Sequence, residues 1–252
     1  MDILTLLGLS LGLGIVYYVM SRGQIVELLF NLDAAILVFG GTFAAIIITY
    51  PWKIIRRVST AGFRIFFPPR RENPALLLQN MTALAEITVR SGAVGLSTEV
   101  EKQKDAFLKK GLTMIIENYD ERVIRDVLEG EIQLFRQKEI QVVNVFRSMG
   151  TYSPIFGLLG TLIGVVQVLK NLSDPKSLGA SMAIAVTTTF YGIFGANFFF
   201  LPAAGKLQTY LDEIVKSKLL VVEGIAAIRR GEVPSLIRRR LEGFLTDQKT
   251  GK

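Results

Sequence analysis

Four stretches of the chain are long, apolar and nearly free of charge: about 3–20, 34–50, 149–169 and 180–201. Each approaches the roughly 20 residues that an α-helix needs to cross a hydrocarbon layer of about 30 Å. The first lacks the basic leader and the AxA-like cleavage pattern of a signal peptide, so it reads as a retained span. Elsewhere the apolar positions recur at helical spacing. Residues 52–67 alternate Ile54, Ile55, Val58, Ile65 and Phe66 with Arg56, Arg57 and Arg64. That pattern predicts an amphipathic helix lying in the membrane interface, anchored by Trp52, with its arginines near anionic head groups and Pro68-Pro69 ending it. Pro74 opens a further helix carrying Leu77, Leu78, Met81, Leu84 and Ile87. One helix is expected over 97–118. Another begins at Glu121 and runs without a break into the third span. Beyond Pro202, residues 207–228 continue the fourth span until Gly231 stops it. No alternating strand pattern of useful length and no short repeat appears.

The fold class is therefore an all-α integral membrane protein: four transmembrane helices with a helical cytoplasmic domain. Its parts are spans one and two (1–50), a cytoplasmic domain (51–148), spans three and four (149–203) and a helical tail (204–252). Composition agrees. Half of the 252 residues are hydrophobic and only 20% are charged, and the mean hydropathy is +0.40. A water-exposed surface rarely tolerates that average.

Charge supplies orientation. Residues 51–150 hold 16 Lys/Arg, and residues 204–252 hold 10, whereas the two short links hold only Arg22, Lys170 and Lys176. The bias of basic residues toward the cytoplasm puts the large loop, the tail and both termini inside. The absence of Cys and His removes disulfides, thiolate nucleophiles, Cys/His metal sites and imidazole acid–base chemistry. Gly8, Gly12 and Gly14 lie inside an apolar span and do not form a nucleotide loop. No P-loop or catalytic constellation is present, and the chain reads as a non-enzyme.

Spans three and four carry no Asp, Glu, Lys or Arg, so alone they have no carboxylate relay for protons. They carry small and hydroxyl residues instead. Gly157, Gly160 and Gly164 share one helical face with Thr161 beside them. Thr187, Thr188 and Thr189 point in three directions along span four. Such residues either pack helices closely and bond their own backbone, or offer oxygens to an ion or a partner. Pro154 and Pro202 interrupt the backbone hydrogen bonding near the cytoplasmic ends, and each either kinks its helix or frees a carbonyl. Arg90, Glu99 and Glu101 are ordinary helix-surface charges on their own pattern alone.

These motifs resemble, together and over nearly the whole chain, the A subunit of the bacterial flagellar motor stator, the MotA/PomA family. The resemblance rests on Gly40-Gly41-Thr42 with Tyr50-Pro51, on the run from Pro154 through Gly157, Gly160 and Thr161 to Gly164, and on Leu172 to Lys176. It also rests on Met182 to Gly192, with Thr187-Thr188-Thr189 and Tyr191, and on the tail from Gly231 through Pro234 and Leu241 to Phe244-Leu245. It implies a pentameric ring of this subunit around two copies of a B subunit. The B subunit brings one membrane helix with an essential aspartate and a peptidoglycan-binding domain. Ion passage past that aspartate turns the ring against the rotor C-ring switch protein. Localisation would be the bacterial cytoplasmic (inner) membrane, with membrane lipid as surroundings and no nucleic acid partner. There would be no cofactor, only a transported Na⁺ or H⁺.

By motif position Pro154 and Pro202 match two functional prolines. Thr161 and Thr189 match threonines lining the ion path in sodium-driven members. Gly160, Thr188 and Tyr191 fall in the same ion-path and partner-facing set. Because a sodium ion shedding its water needs several oxygen ligands, these threonines favour sodium over proton, as transient ligands. In the loop, Arg90 matches a rotor-contacting arginine. The run that follows it is one residue longer than the family's pattern, leaving Glu99 or Glu101 as the acid. The alternative resemblance is to the ExbB/TolQ type of ion-driven motor, which typically has three spans and an outward N-terminus.

Overall fold

A computed structural model of the chain describes residues 3–24, 26, 29–66, 73–170 and 175–246, and all regular structure among them is helical. In order these are α1 (Ile3–Arg22), α2 (Leu32–Ala35), α3 (Gly41–Thr49), α4 (Trp52–Phe66), α5 (Pro74–Ser91), α6 (Ser97–Lys102), α7 (Ala106–Ile116), α8 (Glu121–Lys170), α9 (Pro175–Phe194), α10 (Leu201–Arg229) and α11 (Pro234–Thr246). Four stretches among the described residues are long and apolar enough to cross a membrane, matching the four expected spans. Pro68-Pro69 and Leu172 to Asp174 lie outside the described residues.

Local chemistry explains most boundaries. Asn31 caps α2, its side chain accepting from the Ala34 N–H at 3.0 Å. Tyr50, held extended ahead of Pro51, separates α3 from α4. Asn73 caps α5 with Pro74 in its first turn. After α10, Gly231 takes φ +71°, and Glu232 N–H bonds the Ala227 carbonyl at 3.1 Å, a left-handed C-terminal cap.

Two features depart from the expectation. The helix expected over 97–118 is broken into α6 and α7, because Asp105 turns extended and caps α7, accepting from the N–H groups of Phe107 and Leu108. Spans two and four each contain a π-helical turn, at Ile36–Gly40 and at Gly195–Phe200. The second runs directly into Pro202, whose missing N–H already breaks the i→i−4 ladder, and the Leu201 N–H reaches back to Ala196 instead.

The chain divides into two compact units. The first comprises 1–69 and 140–209. Its larger apolar side chains cluster where α3, α4, α8 and α10 meet, around Ile46, Ile55, Val143, Val145, Phe146 and Ala204. Along α8 and α9 the large residues point outward: Ile155, Leu158, Leu162, Val166 and Val186 are all exposed. Such a surface suits lipid or another protein chain rather than water.

The second unit comprises 70–139 and 210–252 and has an aliphatic core of the aqueous kind. Met81, Leu96, Leu112, Ile124, Leu128, Ile225, Ile237 and Leu241 are fully buried there. An ionic network ties its helices together. Arg125 pairs with Glu223 at 2.6 Å and Glu121 at 3.1 Å. Arg230 pairs with Glu223 at 3.3 Å, Glu232 at 2.7 Å and also Glu121. Arg240 of α11 reaches Glu223 and Glu232, each at 3.1 Å. These groups lie outside the four spans. Burial pushes the Glu223 carboxyl up, but hydrogen bonds and charge from Arg125, with help from Arg240 and Arg230, outweigh it and leave it below the ordinary carboxylate value.

Candidate ion-path seam and loop charges

In the first unit α8 and α9 cross along a seam of small residues. A Cβ added at Gly157 would lie 2.8 Å from the Thr188 carbonyl oxygen, and one at Gly192 2.7 Å from the Ser153 carbonyl oxygen and 3.0 Å from Pro154 Cα. Backbone therefore touches backbone at this crossing. One step along, Gly160 faces the Thr188 side chain, and Gly164 faces Ala185 and the Ser181 carbonyl. Small residues four or three apart on each helix make this approach possible.

The three threonines fare differently. Thr188 is fully buried and its hydroxyl turns back to the Ala185 and Ile184 carbonyls of its own helix, at 2.9 and 3.0 Å. It fills the notch at Gly160. Thr187 is buried. Thr161 and Thr189 are only half-buried, and their hydroxyls meet across the seam. Thr161 Oγ1 lies 3.2 Å from both the Gly157 and the Ala185 carbonyl oxygens. Thr189 Oγ1 lies 3.4 Å from the same two. Two hydroxyl and two carbonyl oxygens from two helices thus converge on one point. A carbonyl oxygen can accept beyond its helical bond, and the Ala185 oxygen also accepts from the Thr188 hydroxyl at 2.9 Å. The cluster opens on an apolar groove of about 600 Å³ lined by Val16, Phe190, Phe194, Asn197 and Phe198 among others.

Of the remaining candidates, Pro154 is half-buried at the seam itself, and its lack of an N–H withdraws the usual partner of the Gly150 carbonyl. Pro202 is exposed, following the π-helical turn. Tyr191 is committed elsewhere. Its hydroxyl donates to the Leu29 carbonyl at 2.5 Å and accepts from the Asn31 N–H at 3.3 Å, tying span four to the link before α2. Sequence reading missed Ser153. It is fully buried, its hydroxyl has no partner among the described residues, and it lies 3.3 Å from where a Cβ on Gly195 would stand. It also passed over the Gly157 and Ala185 carbonyls. The Ser181, Ala185, Thr188, Gly192 spacing would have flagged the face that bears the second of them.

In the second unit Arg90 lies in the last turn of α5, and one turn of 3₁₀ helix at Ala93–Leu96 leads to α6. Gly92 takes φ +65° there. The Glu99 carboxylate accepts from Lys102 at 2.8 Å. Arg90 and Glu101 are exposed, and neither has an ion-pair partner among the described residues.

Residues 99–218 match the MotA/TolQ/ExbB proton channel family. Over 249 residues the chain is 32% identical to motility protein A of Treponema pallidum, covering 98% of this chain and 95% of that protein. It is 30% identical over 250 residues to chemotaxis protein PomA of Vibrio alginolyticus, covering 99% and 97%. Its fold superposes on the flagellar MotAB stator complex of Bacillus subtilis with a TM-score of 0.82 at 27% identity, covering 96% of this chain and 98% of that one. The chain belongs to the MotA/PomA family of flagellar motor stator A subunits.

Proposed function

We propose that this chain is the A subunit of an ion-driven flagellar stator, that it forms a pentameric ring around a dimer of a B subunit, and that it converts sodium flow into torque on the rotor C-ring. The relationship to motility protein A and PomA supports the stator role. The solved relative, a MotAB complex, supports a B-type partner. Both termini face the cytoplasm, in the inner membrane, consistent with the basic residues flanking the spans.

The observation that carries the reading is the four-oxygen cluster of Thr161, Thr189, Gly157 and Ala185. It sits in a seam whose two spans hold no charged side chain. Hard cations prefer oxygen donors and must be repaid for lost hydration. Four neutral oxygens leave the charge to be balanced by one carboxylate, which the partner's membrane helix supplies. In this scheme ion binding neutralises that carboxylate and release restores it. The alternating charge drives the ring past the partner helix, and Pro154 at the crossing lets span three flex. Exposed Arg90 and Glu101 engage the rotor. Glu99 is the weaker candidate because Lys102 already holds it.

The test is swimming speed against external sodium, at fixed pH and membrane potential, in cells whose only stator contains this chain. Speed should saturate with sodium, and Thr161→Ala or Thr189→Ala should raise the sodium needed for half-maximal speed about tenfold, the loss of one good oxygen ligand. Full speed without sodium, unchanged in both variants, would make this a proton motor and reduce the threonines to packing.

A further inference from the structure

The first unit holds a second groove that the ion path does not use. Span one meets the π-helical turn at Gly12, where an added Cβ would lie 2.3 Å from the Phe198 ring. One helical turn away, at Gly8, the same test meets nothing within 4 Å, and nothing is met at Gly62 of α4 either. The helices part there and leave an open space of about 600 Å³. Its walls are Leu9, Ile65, Phe146 and Phe198 to Phe200, and among the described residues the charged group lining it is Lys206, whose ammonium donates to Thr5. The volume falls within the usual range for a small-molecule site, about 300–1,000 Å³. Its position on the membrane-spanning unit makes lipid the solvent that reaches it.

We propose that this groove binds one anionic phospholipid, with an acyl chain between α1 and the Gly195–Phe200 turn and the head-group phosphate at Lys206. Three observations select that occupant over a water-soluble one or a second protein helix. The lining is mostly apolar, with Thr5 and Asn197 as its uncharged polar side chains and Lys206 as its cation, a polarity that suits a phospholipid. The α4 helix, which lends Gly62 and Ile65 to the wall, carries Lys53, Arg56, Arg57 and Arg64, so anionic lipid is enriched beside the entrance. Gly8 and Gly62, where an added Cβ meets nothing within 4 Å, leave the space beside the Gly12–Phe198 contact open to a flexible chain. A lipid seated there would wedge span one away from a turn that is already π-helical and proline-broken. That gives the membrane a direct hold on the base of span four.

The experiment uses the full chain purified with its B subunit. Native mass spectrometry follows retention of added phosphatidylglycerol or phosphatidylcholine. The wild-type complex should retain phosphatidylglycerol about fivefold better, the effect of one lysine at a membrane surface. Lys206→Gln should abolish that preference without lowering phosphatidylcholine retention. Gly8→Leu should fill the slot and displace both lipids. Gly62→Leu does the same from the other wall, should Gly8→Leu fail to assemble. Equal retention of the two lipids by the wild type would overturn the proposal. So would unchanged retention in an assembled Gly8→Leu or Gly62→Leu complex, or a density map showing a neighbouring protein side chain in the groove.

Discussion

The seam between α8 and α9 and the core of the second unit solve the same problem with opposite residues. In the second unit, Leu112, Leu128, Ile225 and Leu241 are buried completely, and each Leu or Ile side chain removed from water contributes roughly 1.5–3 kcal/mol. In the seam the contacting residues are Gly157, Gly160 and Gly164 against Ser181, Ala185, Thr188 and Gly192, while Ile155, Leu158 and Leu162 face outward. Lipid tails are as apolar as leucine, so burying leucine between membrane helices gains little. Close backbone approach and polar contacts do the joining instead. The difference shows that hydrophobicity marks opposite faces in the two units. It points to the core in the second unit and to the periphery in the spans, where the small and hydroxyl residues mark the inside.

That contrast can be broken most severely at Gly157 or Gly192. Leucine at either position must push two backbones apart, and we expect loss of the assembled complex, read as absence of the A–B complex in native mass spectrometry. Next comes truncation in the second unit. Leu112→Ala or Leu128→Ala should cost about 2–5 kcal/mol and speed hydrogen exchange throughout α5, α7 and α10 while leaving the seam residues unaffected.

A smaller effect is expected from Glu223→Gln, about 1–3 kcal/mol at neutral pH from lost charge-assisted bonds. The carboxyl is held below its ordinary value when folded. Its contribution is therefore full above the unfolded value and is lost as pH falls through the folded one. The gap between wild type and variant should close on acidification below the ordinary carboxylate range, followed by thermal melts at several pH values. Smallest is Gly130→Ala on α8. A Cβ there meets nothing within 4 Å, and the helix should gain about 0.5–1 kcal/mol, a slight rise in melting temperature.

Much of this was legible in the chain itself. The four spans, the start of α5 at Pro74, the continuous α8 and the stop at Gly231 follow from apolar run length, proline and glycine. The break at Asp105 was hidden because the apolar rhythm continues across it, and only the cap reveals the end of one helix and the start of the next. The π-helical turns were hidden too. Pro202 signals a disturbed ladder, but not that the chain absorbs it by widening six residues upstream. At the site, sequence singled out Thr161 and Thr189 with Thr188 as a near-equivalent. The structure separates them, since one residue of rotation turns the Thr188 hydroxyl onto its own backbone. Tyr191 looked like a member of the same set, and its hydroxyl is bound to the 29–31 link instead. Ser153 had no sequence signal, because a serine beside a proline is unremarkable until burial strands its hydroxyl.

In the proposed stator the open side of the Thr161–Thr189 oxygen cluster faces the partner's membrane carboxylate. The chain contains no cysteine, so single cysteines can report it without background. Thr189→Cys, paired with a cysteine one helical turn from the aspartate in the B subunit's span, should form a disulfide in membranes under mild oxidation. Phe43→Cys on the exposed face of α3 should form none with the same partner. A cross-link at Phe43→Cys and none at Thr189→Cys would put the partner helix against span two and contradict a partner carboxylate at the oxygen cluster.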